Sequence, residues 1–106
     1  MFTTKKLYEE DDKILTCSAH VLDVLRENDI TSVVLDQTVF RPLTPKNTQT
    51  VGVIESNDKV FFVTGVQEQE NSLRHIGTFE SEPFELDEQV TCVLNEEYTK
   101  ETALNQ

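Results

Sequence analysis

Glycine, proline, cysteine and long apolar runs are all scarce in this chain, tryptophan is absent, and each shortage excludes a class of function. The three glycines stand apart at 52, 65 and 77, so no glycine-rich loop is present to cradle a phosphate. The two cysteines, Cys17 and Cys92, lie 75 residues apart with no Cys-x-x-Cys, and the two histidines, His20 and His75, are 55 apart. A zinc site needs three or four converging ligands, so no metal site is expected from these residues. A disulfide is open to Cys17 and Cys92 if the first and last strands adjoin, but two buried free thiols in a reducing cytoplasm are expected. No segment approaches the ~20 apolar residues of a membrane span. The opening MFTTKKLYEEDD has no apolar core and turns acidic at once, which argues against a signal peptide. The acids Glu9 to Asp12 lead into no Asp-x-Asp-x-Asp-Gly loop, so they read as a solvated terminus rather than a calcium site. Ser18 has no base at a spacing that would make it a nucleophile.

What the chain has in abundance is acid. Twenty Asp and Glu face nine Lys and Arg, a net charge of −11 in 106 residues. That length buries roughly two-thirds of its unfolded surface, enough for one core and one domain. A chain that binds RNA unaided normally presents a basic face, because affinity comes from neutralising phosphates; this one repels phosphate over most of its surface. The exception is residues 37–54, which hold Arg41 and Lys46 and no acid. Seven bases against twenty acids remain elsewhere, a balance of −13. Arg41, Lys46 and the adjacent Asn47 are therefore the candidate contact loop for an anion or an acidic protein partner. Two solvated side chains on an unrelated loop explain the same residues. With two prolines and little apolar surface, residues 41 to 50 should be exposed and mobile.

Periodicity points to strands. Val33 to Leu35 and Val51 to Ile54 are β-formers, and between them Pro42, Thr44, Pro45, Asn47, Thr48 and Thr50 make a turn-forming set. Ile14 to Leu25 fits two patterns: Leu15, Cys17, Ala19 and Val21 share a strand face, while Cys17, Val21, Val24 and Leu25 share a helix face. Glu27-Asn28-Asp29 reads as a turn into Thr31 to Leu35, and Ser56-Asn57-Asp58-Lys59 as a hairpin into Val60 to Val63. Leu73 to Phe79 and Gln89 to Leu94 are two more strands. Phe61, Val63, Val90, Cys92 and Leu94 are expected inside. Residues 1–95 are thus expected to form an all-β domain, a small closed or partly open antiparallel barrel. Residues 96–106, acidic at their start and rich in helix formers, are expected to begin a short helix or linker that is cut short.

Residues 33–54 also carry a resemblance. Leu35-Asp36-Gln37-Thr38-Val39-Phe40-Arg41-Pro42, followed by Val51-Gly52-Val53-Ile54, resembles the Leu-Asp-x-Thr-x-Phe-Tyr-Pro-Glu-Gly-Gly-Gly-Gln segment of the alanyl-tRNA editing protein and alanyl-tRNA synthetase editing-region family. The spacing from Phe40 to Gly52 fits without a gap. Ser18 to Val24, Leu73-Arg74-His75-Ile76, Pro83 to Val90 and Leu94-Asn95-Glu96-Glu97 are similar to further family segments, less specifically. The resemblance implies the barrel found in translation proteins and makes Ile14 to Leu25 a strand.

The departures matter as much. Thr44-Pro45-Lys46-Asn47 stands where the family keeps its glycines and glutamine, and Pro45 fixes a φ that glycine would leave free. None of the family's editing roles is carried onto these positions. The family's zinc ligands, a His-x-x-x-His pair and a later Cys-x-x-x-His pair, fall beyond residue 106. The expected function is a non-catalytic barrel module without a cofactor of its own, the hydrolysis of mischarged alanine tRNA residing in a zinc-binding part outside this chain. Catalysis by these residues alone is not expected; as part of a longer chain the resemblance implies an aminoacyl-tRNA deacylase or an alanine–tRNA ligase relative. Transfer RNA is a partner only in that larger context, no membrane is implied, and the setting is cytoplasmic. The alternative is a free-standing interaction protein that kept the barrel and binds an anionic or acidic partner through residues 41–50.

Overall fold

The computed structural model describes residues 3–11, 13–42 and 50–95. Eight strands and one short 3-10 turn make up these residues: β1 (Lys5–Lys6), the turn Leu7–Glu9, β2 (Thr16–Glu27), β3 (Ile30–Leu35), β4 (Gln37–Thr38), β5 (Gly52–Ser56), β6 (Lys59–Gln69), β7 (Ser72–Phe79) and β8 (Gln89–Leu94). Six of them close into an antiparallel barrel in the order β2-β3-β7-β6-β5-β8, and β1 pairs in parallel with β4 as a small flap. The all-β barrel read from the sequence is therefore closed. The segment read as a C-terminal helix, 96–106, lies outside the described residues.

Local turn chemistry sets two of the hairpins. Asn28, Asp29 and Asn57 adopt positive φ of 53°, 66° and 53°, a conformation Asn and Asp tolerate better than other residues with a Cβ. Strand phase then does the rest: Ala19, Val21, Val33, Leu35, Ile54, Phe61, Leu73, Val90 and Cys92 are all at or below 1% exposure. Of the five residues expected inside, Leu94 alone is half-buried, packed against the core.

Two features escape the pattern. Strand β6 continues six residues past Val63, because the β6–β7 register shifts between Val63 and Gly65. That bulge moves the inward phase from Phe61 and Val63 to Val66, so the alternation stops while the strand does not. The following turn places Glu70, a poor turn former, at φ 57°. The second feature is the N-terminal segment, which has little apolar periodicity and is held by backbone bonds. Thr4 N–H donates to Asn71 O at 3.0 Å, Lys5 N–H to Asp36 O at 2.8 Å, and the Thr4 hydroxyl to Leu35 O at 2.8 Å.

Barrel closure explains two of the scarce glycines. A Cβ on Gly77 would lie 1.7 Å from the Phe62 carbonyl oxygen, and one on Gly52 would lie 2.1 Å from that of Val93. Strands curve past one another at these points, and only glycine permits the approach. Aromatic rings fill the space inside: Phe61, Phe79 and Phe84 stack in sequence with centroids 4.7 and 5.0 Å apart.

Candidate functional site

The chain leaves β3 through Asp36, forms β4, and turns inward with Val39 and Phe40, both fully buried. This geometry buries Thr38 as well, against His75 on β7. The imidazole Nδ1 lies 2.8 Å from the Val33 carbonyl oxygen and therefore carries the ring proton. Nε2 is left bare and accepts the Thr38 hydroxyl hydrogen at 2.8 Å. The Thr38 oxygen in turn accepts the Phe40 N–H at 3.0 Å, and the Phe40 ring packs edge-on against the imidazole at 5.5 Å. Burial pushes His75 down to about 4, outweighing the opposing Val33 bond, so the ring is neutral at pH 7.

A hydroxyl bonded to a neutral imidazole is the pairing of an activated nucleophile. Here both members are fully buried, and every hydrogen-bonding atom of the imidazole is used inside the protein. Among the described residues no buried side-chain nitrogen or oxygen lacks a partner. The pair holds the Leu35–Pro42 segment against the barrel. His75 is thus a strand residue bonded to its neighbours. Thr38 was missed as its partner, since nothing in the local pattern of Gln37-Thr38-Val39 marks an inward hydroxyl.

Arg41 stands just beyond this segment, half-buried, with its guanidinium carbon 5.5 Å from the centroid of the Tyr8 ring. The Arg41 backbone N–H donates to the Thr50 hydroxyl at 2.7 Å, so the two ends of the polar segment are joined. Thr50 is buried and Pro42 half-buried, which corrects the expectation of exposure throughout 41–50: the ends are anchored by this contact and the Tyr8 stack. Lys46 and Asn47, the other residues of the candidate contact loop, lie outside the described residues.

Elsewhere, a surface groove of about 680 Å³ is lined by Glu55, Ser56, Asn57, Glu88, Gln89 and Thr91. Within it the Glu88 carboxylate accepts the Ser56 hydroxyl at 2.5 Å, the Lys59 ammonium at 3.0 Å and the Glu85 N–H at 2.9 Å. Those donors, led by the Glu85 N–H, hold the Glu88 carboxyl below its usual range. The lining is polar and offers no apolar wall for a small molecule. Among the described residues no three His, Cys, Asp or Glu side chains converge on a point where a metal would sit. No helix among them is long and apolar enough to cross a membrane.

Fold and site together define a small closed antiparallel barrel whose interior, among the described residues, is packed with side chains. No protein-family model matches the chain. It is similar to the alanyl-tRNA editing protein AlaX-L of Pyrococcus horikoshii, with 31% identity over 94 residues that amount to 89% of this chain and 23% of that protein. The chain thus spans less than a quarter of the length of that relative. The match supports the relation to alanyl-tRNA editing proteins suggested by the residues around 33–54.

Proposed function

We propose that this chain is the barrel module of an alanyl-tRNA editing system, a cytoplasmic, non-catalytic part whose hydrolytic centre lies in a zinc-binding region outside these residues. The observation that carries this reading is the similarity to the Pyrococcus editing protein over nearly the whole barrel. Two features support the non-catalytic part of it. The hydroxyl–imidazole pair Thr38–His75 is sealed and satisfied, and a net charge of −11 disfavours unaided tRNA binding. The test is deacylation of seryl-tRNA by the purified chain, with zinc measured by elemental analysis. Background hydrolysis and no stoichiometric zinc are expected; hydrolysis above background with one tightly held zinc per chain overturns the reading. The positive arm replaces the matching barrel of the Pyrococcus protein with this chain. A chimera that folds and regains editing once Thr44-Pro45-Lys46-Asn47 is restored to Gly-Gly-Gly-Gln supports a module, and one that folds but never edits counts against it.

The stacking of Arg41 on Tyr8 at the base of an acid-free segment favours a second reading, in which residues 41–50 contact an anionic or acidic protein partner. Unchanged recovery of a copurifying partner by the Arg41→Glu, Lys46→Glu double variant removes this reading.

A further inference from the structure

Cys17 and Cys92 sit 75 residues apart in sequence and directly opposite one another in the barrel. They form a register pair in the β2–β8 ladder, between Thr16–Val93 and Ser18–Thr91. Directly opposed residues of antiparallel strands have Cα atoms roughly 4.5–5.5 Å apart, inside the ~4.4–6.8 Å range that a disulfide spans. Both thiols are free; Cys17 is half-buried and Cys92 fully buried. One sulfur is thus within reach of a small oxidant, and the other waits beside it.

We propose that Cys17 and Cys92 form a thiol-oxidation site in which hydrogen peroxide, entering at Cys17, is reduced as the two sulfurs join in a reversible cross-strand disulfide. The Cys17 thiolate sulfur attacks one peroxide oxygen, the O–O bond breaks, and the departing hydroxide takes a proton to become water. Cys17 is then a sulfenic acid. The Cys92 sulfur attacks it, the S–O bond breaks, and the Cys92 proton leaves with the hydroxyl as a second water. Two thiols and one peroxide become one disulfide and two waters.

The surroundings favour this division of roles. The neighbouring Cys92 thiol, and after it the Val39 backbone, hold Cys17 below the usual thiol range, while the Cys17 contact and burial push Cys92 up. Cys17, the half-buried sulfur with the more favoured thiolate, is the point of attack, and the buried Cys92 opposite it is the resolving thiol. The bridge ties the first barrel strand to the last and removes the Cys17 thiol beside the Val39 backbone. Val39 adjoins Thr38, so oxidation reaches the segment that packs on His75.

The experiment treats the reduced wild-type chain with hydrogen peroxide, blocks remaining thiols with N-ethylmaleimide, and reads intact mass and non-reducing tryptic peptides. The expected product is a monomer lighter by two hydrogens, with peptides 14–26 and 75–100 joined and both freed by dithiothreitol. Its melting temperature should rise on the order of 10 °C, because the bridge closes a long loop in the unfolded chain. Peroxide leaving both thiols alkylatable, stable oxygen addition at Cys17 without a bridge, or a disulfide-linked dimer each overturns the proposal. In Cys17→Ser, a half-buried and conservative change, Cys92 should stay reduced at the same dose; oxidation of Cys92 at the wild-type rate removes Cys17 as the point of attack.

Discussion

Two polar clusters in this barrel use similar bonds in opposite settings. The Thr38–His75–Val33 chain lies inside, its two side chains fully buried. The Ser56–Lys59–Glu88 group lies at a surface groove lined by Ser56 and Glu88, with Ser56 buried and the Lys59 and Glu88 side chains 20% and 15% exposed. The buried chain carries no net charge and cannot exchange a partner for water, so losing one member leaves the others unsatisfied. The groove cluster carries full charges but keeps an edge open to water, so it can re-solvate them in part and its ionic bond contributes less than the buried chain does. Burial, more than bond count or formal charge, decides which cluster the fold depends on.

Removing the imidazole should have the largest effect. His75→Ala opens a cavity and strands both the Thr38 hydroxyl and the Val33 carbonyl, so a loss of about 3–5 kcal/mol is expected in urea unfolding. A loss under about 1 kcal/mol would place the two clusters on equal footing. Acid provides the next comparison. The unfolded imidazole binds its proton near 6.5 and the folded one only near about 4. Between those values the unfolded chain holds more protons, so the His75 contribution is complete above about 6.5 and is lost as pH falls towards 4. The loss amounts to ~3 kcal/mol. His75→Gln should flatten that part of the stability profile relative to wild type, and an unchanged slope would contradict the buried neutral ring. The smallest effect belongs to the groove: Glu88→Gln should cost about 1 kcal/mol or less at neutral pH, and less at high salt.

The sequence announces the hairpins at Asn28-Asp29 and Asn57-Asp58 because positive φ leaves a local trace in residue type. It hides the β6–β7 hairpin for the converse reason. Gln67 to Asn71 look like a polar loop, and the bulge before them moves the inward phase from Val63 to Val66. The candidate site was half legible. The Leu35–Pro42 segment drew attention through its residues, and Arg41 through charge. The burial of Thr38, and the stack of Arg41 on Tyr8, depended on a flap made of β1 and β4, for which the N-terminal residues carry no periodic signal.

By itself, the sequence determined five of the six barrel strands, the inward phase of β8 and of the start of β6, and an excess of acid. Each of these follows from residue type and spacing over a few positions, within reach of period-two patterning and turn preference. The strand over Ile14 to Leu25 needed the family resemblance. Only the tertiary structure decided that Cys17 faces Cys92, that Thr38 meets His75, and that Gly52 and Gly77 sit beneath the carbonyls of Val93 and Phe62. Those meetings join distant parts of the chain through the stagger and curvature of a closed sheet, and closure is a property of all six strands together.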